Sequence, residues 1–174
     1  MSQPVDESAR IRGYLQGQAN KLSVADLVAK VRTDTVPLQA AGEAVPAARF
    51  NDRPAEGEWS AAEVWNHILQ MNELGTCAII GILDHGTLPE RIRDVISGET
   101  RKDLASSAAY YGTYLARREE LLARAVQATG DEHLDIMINH TMFGDFSWRE
   151  WLLFMRVHDL DHMRQLQAIT QAFA

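Results

Sequence analysis

One stretch narrows the possible folds more than any other: residues 147–169, SWREWLLFMRVHDLDHMRQLQAI. Ser147 followed three residues later by Glu150 is a capping box, in which each side chain satisfies a free backbone N–H, so a helix is predicted to start there. Trp151, Met155, His158, His162, Gln165 and Ile169 then recur at helical spacing and fall on one stripe. Most of that stripe is apolar, so it is predicted to face a core. Two neutral imidazoles in such a place need polar partners that Met and Ile cannot supply. At positions i and i+4 their Cβ atoms stand about 5–6 Å apart on one face. That spacing lets two rings bind one metal ion through nitrogens about 2.0–2.1 Å away.

The rest of the chain is read in order. Residues 1–8 carry no apolar period and are predicted to be loose, with a short helix over 9–18. Ser23 and Asp26 form an S-x-x-D cap for a helix to about Ala44, with a kink or break at Pro37 and Val36 biased away from helical angles. Residues 45–58 hold Pro46, Pro54 and Gly57 and read as a loop. Ser60 and Glu63 make a second capping box, opening a helix to about Leu83 that Asp84-His85-Gly86 stops. Thr87 and Glu90 mark a short helix ending before Gly98. Thr100 and Asp103 are predicted to cap a long helix to about Thr129, with Gly130 as its stop. Along it Leu104, Ala108, Tyr111, Leu115, Leu122 and Val126 form the buried stripe, and Arg117, Arg118, Glu119 and Glu120 the solvated face. No alternating strand stands out. Four substantial helices separated by loops predict an all-α helix bundle.

A third ligand must come from another helix, because no His or acidic residue follows His162. His67 is the best placed, sharing an apolar stripe with Met71, Leu74 and Ala78. His85 and His133 fall at helix ends or in loops, and His140 just before the last helix, where it could line a site mouth. A zinc-protease reading fails, since H-D-L-D-H has Asp159 where a glutamate base is needed. A carboxylate di-iron centre fails too, for want of E-x-x-H pairs. Gln165 and Asp159, beside the ligands, and Glu63, four residues before His67, are the residues available to hold those ligands in place. Asp159 and Asp161 are otherwise helix surface charges.

Net charge of −7 without a basic patch argues against a nucleic-acid partner. A single cysteine, Cys77, suits a reducing compartment, and the start MSQPVDESAR lacks the apolar core of a signal peptide. The longest apolar run, residues 77–83, is too short to span a bilayer. A cytoplasmic location is expected. Leu153, Phe154, Val157 and Leu160 form a second apolar stripe on the last helix, which predicts a homodimer or burial under the N-terminal segment.

Two segments together resemble the DinB/YfiT-like family of metalloenzymes. Residues 59–67, WSAAEVWNH, look like its W-S-x-x-E-x-x-x-H opening of a helix, and residues 140–169 are similar to its F-G loop, capped helix and H-x-x-x-H-x-x-Q ending. The resemblance implies a four-helix bundle with up-up-down-down topology over residues 21–174, preceded by a partly helical N-terminal extension over 1–20. It implies a divalent transition metal (Zn, Ni or Fe) on His67, His158 and His162, frequent homodimers, and relatives that use a low-molecular-weight thiol. Three protein ligands leave an open position, the pattern of a catalytic metal. The expected activity is therefore a metal-dependent, thiol-dependent S-transferase or hydrolase acting on a small electrophilic substrate, with Trp151, Met155, Met71 and His140 against that substrate. The alternative is a non-catalytic metal or small-ligand binding protein of stress response. Protons compete with metals for imidazoles, so occupancy is expected to fall below about pH 6.

Overall fold

A computed structural model describes residues 4–88 and 100–174. Its order is α1 (Pro4–Lys21), α2 (Val24–Asp34), α3 (Pro37–Glu43), a 3-10 turn (Ala47–Arg49), α4 (Ala61–His85), α5 (Ser107–Ala125), β1 (Ile138–His140), β2 (Gly144–Phe146) and α6 (Trp148–Ala172). The fold is mainly helical, with α4 packed along both α5 and α6. Among the described residues no helix is long and apolar enough to cross a membrane.

The caps expected from sequence set three of the helix starts. Ser23 Oγ accepts from Asp26 N–H at 3.1 Å. At α4, Glu63 accepts from Ser60 N–H at 2.8 Å while Ser60 Oγ accepts from Glu63 N–H at 3.2 Å. At α6, Glu150 accepts both the N–H and the hydroxyl of Ser147, at 2.7 and 2.9 Å. Gly86, at φ 63°, ends α4 in the left-handed conformation that glycine adopts without penalty.

Five expectations need correction. The first helix begins at Pro4, five residues before the expected start, and its Leu15 and Ala19 are buried in the main core cluster. The break expected at Pro37 is present and divides the second span into two helices, but Val36 takes helical angles (φ −53°), and Thr35 folds its hydroxyl onto Val31 C=O at 2.9 Å. Pro37, lacking an N–H, starts α3 instead of kinking α2. The cap of α5 is Ser106, not Thr100 with Asp103, and the helix ends at Ala125. Its buried stripe is Tyr110, Tyr114, Arg118, Leu121 and Ala125, whereas Leu115 and Val126 are exposed. Finally, a two-stranded antiparallel hairpin pairs Ile138 with Phe146 and His140 with Gly144. Strands of three residues are too short for alternation to register in sequence. The helix expected from Thr87 and Glu90 lies largely outside the described residues.

Close approach of α4 to α6 sets the frame for the site. A Cβ on Gly75 would come within 2.8 Å of Trp151 Nε1, so glycine lets the two helices touch there. The same economy joins α3 to α4: a Cβ on Gly42 would lie 2.6 Å from the Trp65 ring. Trp65 Nε1 donates to Ser107 Oγ at 3.1 Å, and Ser107 donates onward to Gly42 C=O at 2.7 Å. On the other flank, Arg149 ties α6 to the α1–α2 joint, donating to Ala19 C=O at 2.7 Å and to Gly130 C=O at 3.0 Å.

Candidate metal centre

Because α4 and α6 each start at a capping box and then run unbroken for 25 residues, their ligands sit at fixed depths on two rigid rods. His67 lies two turns into α4; His158 and His162 lie midway along α6. Their ring nitrogens converge. His158 Nε2 stands 2.9 Å from His67 Nε2 and 3.1 Å from His162 Nε2. Of the described His, Cys, Asp and Glu residues, this trio is the group able to offer three ligand atoms to one ion, all within 4.8 Å of each other.

The electrostatics are those of a site built for neutral rings. Burial, then the proximity of His158 and His162, lowers the His67 pKa to about 3. Burial and His158 lower His162 to about 4, against a smaller opposing effect of Gln165. Gln165 Oε1 lies 2.8 Å from His162 Nδ1, so the amide oxygen accepts the Nδ1–H and leaves the Nε2 lone pair facing the other two rings. Three nitrogens that close cannot all be satisfied by one another, since a neutral imidazole has a single N–H to give. Nitrogens at about 2.0–2.1 Å from one tetrahedral ion stand about 3.3 Å apart, a few tenths beyond the 2.9 and 3.1 Å that separate His158 Nε2 from the other two. The donor set, its neutrality and the Gln165 contact all fit a divalent transition metal.

One residue that sequence reasoning used only as a motif letter is part of the site. The Trp59 ring lies parallel to His162 (12°, centroids 6.3 Å apart) and edge-on to His67 at 5.2 Å. It is half-buried and forms a flat wall against two of the three rings. Its signal was its position just before the Ser60 cap, which fixes it at the mouth of α4.

Other sequence-predicted residues are distributed differently. Glu63 is buried and held by its cap and by Arg53, whose Nε donates at 3.0 Å. Burial alone would raise its pKa, but these hydrogen bonds hold it below the usual carboxylate range. Asp159 is not a surface charge: it is 2 % exposed and paired with Arg118 at 2.9 Å. Arg118, expected on a solvated face, is equally buried, because α5 turns that face into the bundle. Burial is the largest single effect and raises the Asp159 pKa, but the charges and hydrogen bonds around it, Arg118 first among them, together outweigh it, so the carboxyl stays below its ordinary value.

Met71, Trp151 and Met155 are buried in the larger core cluster. His140 is buried too, its Nδ1 accepting from Met142 and Phe143 N–H at 3.1 and 3.3 Å and its ring against Phe154. Phe154 in turn lies 6.2 Å from His158. His85 and His133 are exposed. Arg156 pairs with Asp34 at 2.6 Å. Cys77 stands ten residues past His67, about 15 Å along α4. Its thiol bonds Glu73 at 3.2 Å, and burial raises its pKa.

No curated protein and no solved structure matches the chain. A family model does: the one described as the DinB superfamily matches residues 31–166, a span that holds all three converging histidines and the capped starts of both helices that carry them. The chain belongs to the DinB superfamily.

Proposed function

We propose that this protein is a metal-dependent enzyme acting on a small electrophilic molecule, a thiol-dependent S-transferase or a hydrolase. The observation that carries the reading is the convergence of three histidine Nε2 atoms from two helices, with Gln165 fixing one ring. His67, His158 and His162 would hold the ion, which would be Zn, Ni or Fe. A divalent ion held by three nitrogens supplies Lewis acidity and lowers the pKa of a thiol or water bound at its open position. The chain's own residues do the rest. Gln165 keeps His162 in the tautomer that presents Nε2. Trp59 offers a planar surface for an apolar or aromatic substrate body, with Met71, Met155 and Trp151 as apolar backing and His140 farther back. Buried neutral imidazoles keep their lone pairs for the metal at neutral pH.

The reading keeps the up-up-down-down helix order that the family resemblance implies, over residues 21–174 with 1–20 as an extension, and a cytoplasmic setting. A homodimer is part of it. Leu153 and Phe154 are already buried within the chain, and Val157 and Leu160 line a groove of about 400 Å³ shared with Ile11 and Tyr14 of α1. Light scattering that gives a 19.5 kDa particle would reject the dimer.

A second reading has an observation in its favour. Two carboxylates near the triad are engaged, Glu63 by Arg53 and Asp159 by Arg118, so neither of these two is a free general base. That suits a non-catalytic metal or small-ligand binding protein. The test is turnover of small electrophiles by the Zn²⁺-, Ni²⁺- or Fe²⁺-loaded protein, with and without added thiol. The enzyme reading expects metal-dependent turnover that His162→Ala abolishes and Cys77→Ser spares. Full metal occupancy without turnover across thiols and hydrolysable esters supports the binding protein.

A further inference from the structure

Four polar side chains from the three helices around the site are buried together: Asn72 of α4, Tyr114 and Arg118 of α5, and Asp159 of α6, none more than 2 % exposed. Arg118 Nε donates to Asn72 Oδ1 at 2.8 Å, and Nη2 stands 2.9 Å from Asp159 Oδ2. The Tyr114 hydroxyl donates to the same Oδ2 at 2.8 Å, while Asn72 Nδ2 donates to Tyr114 C=O at 3.1 Å. A fully buried ion pair rarely stabilises a fold more than apolar packing of similar volume would. Its presence here asks for another role.

The second carboxylate oxygen supplies one. Arg118 and Tyr114 both engage Oδ2; Oδ1 instead stands 3.8 Å from His158 Nδ1. That Nδ1 is buried and has no hydrogen-bond partner among the described residues. A histidine that binds a metal through Nε2 carries its proton on Nδ1, and almost always donates it to a carboxylate, carbonyl or water. A movement of about 0.8 Å would bring this pair from 3.8 Å to hydrogen-bonding distance. His162 already has its equivalent partner in Gln165.

Resting on the metal reading above, we infer that Asp159 is a positioning residue for His158. It accepts the Nδ1–H through Oδ1 and aims Nε2 at the centre of the triad. Arg118 and Tyr114 hold the carboxylate from its other oxygen. Because Arg118 also bonds Asn72, the same guanidinium braces the two ligand-bearing helices against each other.

The test compares wild type with the double variant R118M/D159L, using Zn²⁺ in competition with a chelator. The double variant removes both charges and the Oδ1 acceptor at similar side-chain volume, avoiding the unpaired buried Arg118 that Asp159→Leu alone would leave. Tyr114→Phe, which removes one donor to Oδ2, is the milder companion. Zn²⁺ affinity should fall about 10- to 100-fold in the double variant while its helical circular dichroism is retained. The His158 Nδ1–H signal in ¹H–¹⁵N spectra of the Zn²⁺ form should move upfield in the double variant and partway in Tyr114→Phe. A purely structural role would lower the melting temperature and leave affinity within twofold and the signal in place; that result overturns the inference alone. Wild-type protein that binds no Zn²⁺ overturns the metal reading, and this inference with it.

Discussion

Acidification is the perturbation whose outcome the site's burial specifies most fully. An ordinary imidazole with a pKa near about 6.5 is only about 3 % neutral at pH 5, so each such ligand costs about 25-fold in apparent metal affinity between pH 7 and pH 5. Three of them would cost about 10⁴-fold. His67 and His162, lowered to about 3 and about 4, remain neutral at pH 5 and contribute almost nothing to that loss. Those two rings together should therefore raise the dissociation constant for Zn²⁺ by less than about twofold between pH 7 and pH 5, where two ordinary imidazoles would raise it about 600-fold. Occupancy is still expected to fall as pH drops below about 6, but by less than three ordinary imidazoles would give. Chelator competition at the two pH values reads the affinity, and calorimetry in two buffers of different ionisation enthalpy counts the protons released. A loss above about 10³-fold, or release of two or more protons at pH 5, would refute the argument.

The same lowering fixes the sign of the stability change in metal-free protein. Between about 6.5 and the folded values of about 3 and 4, the unfolded chain binds more protons than the folded one. Stability is full above about pH 6.5 and falls as pH drops through that window, by about 2 kcal/mol per histidine at pH 5. Urea melts of the metal-free protein at pH 7 and pH 5 should separate accordingly, and equal midpoints would contradict the burial of these rings.

Other outcomes follow from particular contacts. Arg118→Ala leaves the Asp159 carboxylate buried and unpaired and should cost about 3–5 kcal/mol in urea unfolding; a loss below about 1 kcal/mol would mean that the pair is solvated. Gln165→Leu removes the acceptor for His162 Nδ1–H and should weaken Zn²⁺ binding about tenfold with little change in melting temperature; equal affinity would dismiss that contact. Gly42→Ala drives a methyl into the rigid Trp65 ring and should destabilise by about 1–3 kcal/mol in the same melts; a stabilised variant would show that the ring can yield.

How much of this was legible beforehand depends on the range over which each signal acts. Ser60 with Glu63 and Ser147 with Glu150 are local, three-residue signals, and both helices start where those pairs stand. The i, i+4 spacing of His158 and His162 is equally local, and an apolar stripe sufficed to single out His67. Signals that need a partner far along the chain were misread. Arg118 looks solvated beside Arg117, Glu119 and Glu120; only the packing of α5 on α4, with Asn72 and Asp159 as its partners, turns it inward. Asp159 reads as a surface charge in the sequence because its counter-ion lies 41 residues away in the chain. The hairpin escaped because three-residue strands show no period, although Gly144, at φ 79°, marks its turn. Trp59 precedes its helix, so no helical face assigns it, and its place beside His67 and His162 emerges only when α4 and α6 meet.

The central claim is that these three histidines form one metal site, and metal stoichiometry tests it most directly. Protein purified without chelators, or reconstituted with Zn²⁺ and desalted, should carry one divalent ion per chain by elemental analysis. His67→Ala, His158→Ala and His162→Ala should each lose that ion on desalting, while His140→Ala, whose ring is bonded within the hairpin, should keep it. No tightly held ion in the wild type, or full stoichiometry at unchanged affinity in His67→Ala, would contradict the account.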